Sequence, residues 1–254
     1  MIANYHTHTW RCLHAKGTER EYVERAIQGG IRVLGFSDHT PYPFPRSYFS
    51  GMRMELNQME DYTDKVLALK KEYRHDIEIH LGVEAEYYPL FWEELMDFLK
   101  DYPVEYMLLA QHHLDSEVNG AFYSGRSTDN PAILKKYVDQ CIEAMKKGKF
   151  LYFAHPDLLN FCGDEECFDR EYRRLCRAAN EAGLPLEINF LGIGEKRWYP
   201  RPDFWKIAGE EGNRVILGCD AHEPANTWNP DAEEKAMALV QKYGLNLVGT
   251  LPIT

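Results

Sequence analysis

Ile77-Glu78-Ile79-His80-Leu81-Gly82-Val83-Glu84 is the stretch on which the fold turns. Ile77 to Val83 has the length and apolar content of a buried strand, and the run then ends on a carboxylate. Such an ending is costly unless the carboxylate is paired, hydrogen-bonded or bound to a cation. Six other short runs end in the same manner, on a histidine, a carboxylate or, once, an asparagine. They are Asn4-Tyr5-His6-Thr7-His8, Gly35-Phe36-Ser37-Asp38-His39, Leu109-Ala110-Gln111-His112, Phe153-Ala154-His155, Glu187-Ile188-Asn189 and Gly218-Cys219-Asp220-Ala221-His222.

Helical patterns separate these runs. Glu19 to Gly29 places Tyr22, Val23, Ala26 and Ile27 on one face, and Gly29-Gly30 stops it. Further helices are expected over Leu56 to Arg74, Leu90 to Asp101, Pro131 to Lys147, Asp169 to Ala182, Arg201 to Glu211 and Asp231 to Tyr243. Strands are expected at Ile31 to Ser37, Tyr106 to Gln111, Phe150 to Ala154, Leu186 to Asn189 and Arg214 to Cys219, with a short closing strand within Leu245 to Thr254. Strands separated by helices require parallel, right-handed crossovers. Candidate ligands at almost every strand end favour a near-closed ring of seven β/α units, since an open doubly wound sheet would gather them at one switch point. The expectation is an α/β fold, a distorted (β/α)7 barrel forming a single domain over residues 1–254. Pro41 to Met54, rich in proline, aromatic residues and glycine, is a candidate lid.

Composition narrows the function. The 254 residues carry a net charge of −11, which speaks against nucleic acid as the main partner, because phosphate-backbone binding needs concentrated basic surface. No segment approaches the apolar length of a membrane span, and the first residues lack the pattern of a secretory signal. The six cysteines form no C-x-x-C pair, and Cys162 and Cys167 read as bystanders. A cytoplasmic enzyme acting on a small molecule, with no nucleic-acid or membrane partner, is the expectation. Within it, His6-x-His8 sets two imidazoles on the same side of an extended segment, where both can grip one ion.

Taken in order, His6-Thr7-His8, His14-Ala15, Ser37-Asp38-His39, Gly82-Val83-Glu84-Ala85-Glu86-Tyr87, Gln111-His112, His155-Pro156-Asp157 and Cys219-Asp220-Ala221-His222 resemble the motifs of the PHP (polymerase and histidinol phosphatase) superfamily, histidinol-phosphate phosphatase branch. The resemblance runs from His6 to beyond His222. It implies three divalent metals, Zn, Mn or Fe, at the C-terminal strand ends. His6, His8, Glu84 and Asp220 would bind the first. Glu84 would bridge to a second held by His112 and His155, and His14, His39 and His222 would hold the third. His112 is preferred over its neighbour His113 because it directly follows the Gln of the pattern. Cys219 stands where the family commonly has serine, and its side chain should point away from that of Asp220. His75 reads as surface and His80 as structural.

Three divalent ions bring six positive charges, and Glu84, Asp220 and a bridging hydroxide remove three, leaving a site of roughly +3 suited to a dianionic phosphate monoester. A metal-bridging hydroxide would be the nucleophile, since nothing resembles a phosphoenzyme loop or a nucleotide-binding loop. The resemblance implies hydrolysis of L-histidinol phosphate to L-histidinol and phosphate. Other PHP phosphoesterase activity on a small mono- or diester, and a non-catalytic metal-binding module, are the alternatives. Arg197, before Tyr199-Pro200, is the first candidate for contact with the substrate phosphate and Arg53 the second. Asp220 and His222 are the candidates for a proton relay to the leaving group.

Overall fold

The structure, a computed structural model, describes residues 1–118 and 120–253. Eight parallel strands stand side by side in chain order: β1 (Ala3–Asn4), β2 (Val33–His39), β3 (Glu78–Glu86), β4 (Tyr106–Ala110), β5 (Tyr152–Phe153), β6 (Leu186–Asn189), β7 (Arg214–Gly218) and β8 (Asn246–Leu247). The seven units expected from the alternation are all present, and the closing strand is β8. The ring is drawn together at two levels. Near the C-terminal strand ends Thr7 bridges Ala221, with His8 N donating to Ala221 O at 2.9 Å. At the opposite end Leu251 N donates to the Tyr5 hydroxyl at 3.0 Å, while that hydroxyl donates to Leu251 O.

Helices α1 (Glu19–Gln28), α2 (Met59–Glu72), α3 (Trp92–Leu99), α4 (Pro131–Lys146), α5 (Glu165–Glu181), α6 (Phe190–Gly194), α7 (Pro202–Glu210) and α8 (Pro230–Tyr243) follow the strands. Local chemistry sets their starts. Thr18 and Glu21 form a capping box on α1, and Asn130 and Asn229 cap α4 and α8, each just before a proline at the first helical position. Two differences from the sequence expectation share this cause. Helix α5 begins at Glu165 instead of Asp169 because Asp164 accepts from Cys167 N at 2.7 Å. The unexpected one-turn α6 starts directly from β6 because Asn189 Oδ1 accepts from Gly192 N at 3.0 Å.

The barrel interior is filled by Tyr5, Tyr106, Leu108, Tyr152, Ala154 and Ile216. The Tyr106 hydroxyl lies 2.7 Å from Tyr5 O and 3.0 Å from Phe36 O, so a polar tip is satisfied inside an apolar core. Its ring crosses directly over Gly35 and Gly82, where a Cβ would overlap it. Gly82→Ala is therefore expected to lower stability by about 1–3 kcal/mol, the usual cost of overpacking, read as a lower urea midpoint at unchanged slope.

This layered interior leaves all the ligand-type residues above it. Register decides their grouping: His39 on β2 pairs with Glu84 on β3, so two residues 45 positions apart become cross-strand neighbours.

Candidate metal centre

All nine side chains named as ligands converge above the C-terminal strand ends. Glu84 is at the centre, fully buried, with Oε1 2.9 Å from His155 Nε2 and 3.3 Å from His6 Nε2, and Oε2 2.8 Å from His39 Nδ1 and 3.7 Å from His8 Nε2. Asp220 Oδ1 lies 3.1 Å from His8 Nε2 and 3.4 Å from His6 Nε2. His222 stacks on His8 and on His14, with ring centroids 4.1 and 4.6 Å apart, and His112 packs between His39 and His155 at 5.2 and 5.0 Å. Donor atoms of His6, His8 and Glu84, of His39, Glu84 and His112, and of His14, His39 and His222 each fall within 4.8 Å of one another.

The far ring nitrogens of these histidines are held from outside. Nδ1 of His6 meets Glu187 Oε1 at 2.8 Å, that of His8 faces Asp38 Oδ1 at 3.4 Å, and that of His112 meets Glu86 Oε1 at 2.8 Å. His14 and His222 donate instead to backbone carbonyls, Cys12 O at 2.7 Å and Asp220 O at 3.0 Å. Carboxylate or carbonyl behind these five imidazoles fixes ring orientation and tautomer and turns Nε2 inward, the arrangement that metal-binding histidines need, whereas His39 presents Nδ1 to Glu84 and His155 Nδ1 meets no partner among the described residues. His6 Nε2, His8 Nε2, His39 Nδ1, His222 Nε2 and Glu84 Oε2 are buried with no hydrogen-bond partner among the described residues. Such buried atoms, gathered in groups within reach of one another, are costly unless cations are shared between them, so the donor set fits divalent ions.

The charges agree. Burial opposes ionisation of Glu84 and Asp220, yet the surrounding imidazoles, His39 and His6 foremost for Glu84 and His6 and His8 for Asp220, hold both well below the usual carboxylate range. Burial likewise opposes charging His8, but hydrogen bonds to Asp220 and Asp38 with the charge of Glu84 raise its pKa to about 9. His39 and His222 go the other way, pushed down by burial. Two of the nine also hold unusual backbone: His155 at φ 31° and Asp220 at φ 48° are non-glycine residues in the left-handed region, at a cost of about 1–3 kcal/mol each.

Sequence reasoning missed the supporting shell. Glu187 accepts from His155 N (3.0 Å) and Asn189 Nδ2 (2.9 Å) and lies 3.1 Å from the Tyr152 hydroxyl; it fits because Gly218, opposite, has no Cβ to overlap its carboxylate. Asn189 also donates to Asp220 Oδ2 at 3.0 Å. The available signal was carboxylates inside apolar strands: Glu86 lies two residues beyond Glu84, and Glu187 two before Asn189, on the same strand faces. The Cys12 thiol, given no role in the sequence reading, lies within the same 4.8 Å reach of His8 and His222. Burial keeps it protonated.

A cavity of about 640 Å³ opens from the cluster, lined by His14, His39, His112, His155, Asp220 and His222 at its base and by Tyr48, Glu117, Tyr123, Arg197 and Tyr199 above. Arg197 lies on this wall, bonded to Glu195 Oε2 at 2.8 Å and to the Tyr199 hydroxyl at 3.0 Å. Arg53, the second candidate for phosphate contact, is corrected. Its guanidinium, near the end of the Pro41 to Met54 segment, is buried and spent on Glu86 (3.0 and 3.1 Å), Glu117 (2.8 Å) and Thr40 O (2.9 Å), so its role is to hold Glu86 behind His112. His113 packs against Tyr123 at 5.4 Å and belongs to none of the donor groups. His75 is exposed, His80 bonds Glu78 and Glu105, and Cys219 Sγ faces Thr227 O at 3.3 Å, away from the cluster.

The chain matches the PHP domain over residues 4–190. It belongs to the PHP domain family. A probable histidinol-phosphatase of Deinococcus radiodurans is 29% identical over 239 residues, covering 88% of this chain and 87% of its own length. A probable histidinol-phosphatase of Schizosaccharomyces pombe is 24% identical, with 88% and 81% covered. The crystal structure of histidinol phosphate phosphatase from Lactococcus lactis, complexed with zinc, L-histidinol and phosphate, superposes with a TM-score of 0.77 at 22% identity, covering 98% of this chain and 96% of that one; it shares the PHP fold. Asp220 and His222 lie beyond the matched PHP segment, so β7 completes the site from outside it.

Proposed function

We propose that the chain is a metal-dependent phosphomonoesterase that hydrolyses L-histidinol phosphate to L-histidinol and phosphate. The observation that carries this is the centre itself: nine converging ligand-type side chains, six of their atoms buried without a hydrogen-bond partner among the described residues, at the base of a cavity of small-substrate size. The names of the relatives supply the substrate. His6, His8, Glu84 and Asp220 would hold one ion, Glu84, His112 and His155 a second, and His14, His39 and His222 a third. Divalent ions there supply Lewis acidity and water activated at neutral pH.

The chain's own residues orient the ester and handle its protons. Arg197, on the cavity wall, offers the remaining N–H groups of its fork to phosphate oxygens. Asp220 and His222, with Oδ1 and Nδ1 3.4 Å apart at the cavity base, are the candidates to pass a proton to the departing alkoxide through water. We take residues 1–254 as one unit, a reading supported by the seam that joins Tyr5 to Leu251. A cytoplasmic location is supported by six free cysteines. No helix among the described residues is long and apolar enough to cross a membrane.

Steady-state comparison of L-histidinol phosphate with a panel of phosphate esters, on metal-reconstituted protein, tests the substrate. Turnover no better than that of p-nitrophenyl phosphate would sink it. The support shell gives a second measurement: Glu187→Gln leaves a hydrogen-bonding group behind His6 but removes its charge, and is expected to weaken metal binding about 10- to 100-fold in competition with a chromogenic chelator.

A further inference from the structure

Between the ligands His8 and His14 the chain makes a single 3-10 turn, Trp10–Cys12, that buries an arginine. The Arg11 side chain is only 1% exposed. Its guanidinium pairs with Glu19, the first residue of α1, and with Asp61 in α2, where Nε donates at 3.1 Å, so the turn is tied to two helices. Nη1 also donates to the Thr9 hydroxyl at 3.1 Å.

From Thr9 inward the hydrogen bonds run in one direction. Thr9 Oγ1 accepts from Arg11 twice, from Nη1 and from the backbone N at 3.4 Å, which fills both of its lone pairs, and its single proton goes to Asp38 Oδ2. Asp38 Oδ1 accepts from His39 N at 2.8 Å and faces His8 Nδ1 at 3.4 Å. The polarity is fixed at the outer end, because a guanidinium only donates and keeps its protons in proteins. Asp38 is thereby an acceptor, and His8 Nδ1 must be the donor to it. This matters because His8 stands between two carboxylates: Asp220 Oδ1 lies 3.1 Å from Nε2 and could take a proton there instead. A metal ion binds at Nε2 only when the ring's remaining proton sits on Nδ1.

We propose that Arg11 is a positioning residue for the metal centre, which acts through Thr9 and Asp38 to hold the His8 proton on Nδ1 and leave Nε2 free for the ion. This rests on the metal-dependent reading above. Arg11 touches neither ion nor substrate, and neither Arg11 nor Thr9 lines the cavity.

The test measures Zn²⁺ retention against a chromogenic chelator in wild type, Arg11→Met, Thr9→Val and the double variant, with Tm and steady-state kinetics alongside. Each single variant is expected to hold Zn²⁺ about tenfold more weakly, and the double variant no worse than either, because the two groups act in series. On L-histidinol phosphate kcat should fall with occupancy and return when Zn²⁺ is added, while KM stays unchanged. Wild-type affinity in Thr9→Val would overturn the proposal whether or not Arg11→Met folds, since Thr9→Val keeps Arg11 and both of its ion pairs. Losses that add in the double variant, or a lowered Tm with unchanged Zn²⁺ affinity, would also overturn it and leave Arg11 a tie between helices. Wild-type protein that binds no Zn²⁺ would overturn the metal centre and the proposal together. Wild-type protein that binds Zn²⁺ but cleaves no phosphate ester would overturn the phosphatase reading alone, and the affinities would still decide on Arg11.

Discussion

Glu84→Gln protein is expected to keep at most one firmly held divalent ion per chain and to lose roughly 10³-fold or more in phosphatase kcat/KM, equivalent to about 4 kcal/mol of barrier. Glu84 is the residue that touches most of the centre: its two oxygens lie within 3.7 Å of His6, His8, His39 and His155. Replacing one oxygen by NH₂ keeps the volume but removes the charge and turns an acceptor into a donor facing imidazole nitrogens. The fold should persist, because β3 is anchored by its ladders to β2 and β4. Metal analysis, circular dichroism and steady-state kinetics check this together. A variant that holds three ions, or retains activity within tenfold, would contradict the central place given to Glu84.

Removal of metal by a strong chelator is expected to abolish activity and to lower Tm by about 10 °C, reversibly on adding Zn²⁺ or Mn²⁺. An ion present at a thousand times its Kd contributes about 4 kcal/mol to the folded state, and a chain of this size moves about 2–4 °C per kcal/mol. The gap should widen with pH, and the sign is determined. In the stripped protein His8 has a folded pKa of about 9, raised above its unfolded value near 6.5 by Asp220, Asp38 and Glu84 against the effect of burial. Its contribution is fully present below about 6.5 and is lost as pH rises through about 9. Metal needs the neutral imidazole, so the loaded protein gains affinity over the same window, by up to about tenfold per pH unit for one released proton. Scanning calorimetry from pH 6 to 9 with and without chelator reads both trends. A Tm difference that narrows across this range would contradict the assignment of His8.

Residues were legible in proportion to how local their signals were. Seven strand ends, and the candidate ligands at six of them, could be read because strand periodicity and helix spacing act over a few positions, and parallel crossovers place every strand end at one face. His14, on a loop, had no such signal; the family resemblance supplied it, and the structure stacks it on His222. Arg53 was misread for the opposite reason. A loop arginine beside aromatic residues looks free to meet substrate, whereas its partners Glu86 and Glu117 lie 33 and 64 positions away. Glu187, Asp38 and Glu86 were seen as parts of strands or motifs, but not as the groups that hold His6, His8 and His112.

By itself the sequence determined the alternation of strands and helices, the parallel sheet that follows from it, and the ligand-type residues gathered at one end. Tertiary structure alone decided which oxygen stands behind which imidazole, that Arg53 is spent inside the wall, and that Glu117 lines the cavity. The physical reason is register and closure. His39 meets Glu84 through the β2–β3 ladder, and His8 meets Asp220 because the ring closes between Thr7 and Ala221.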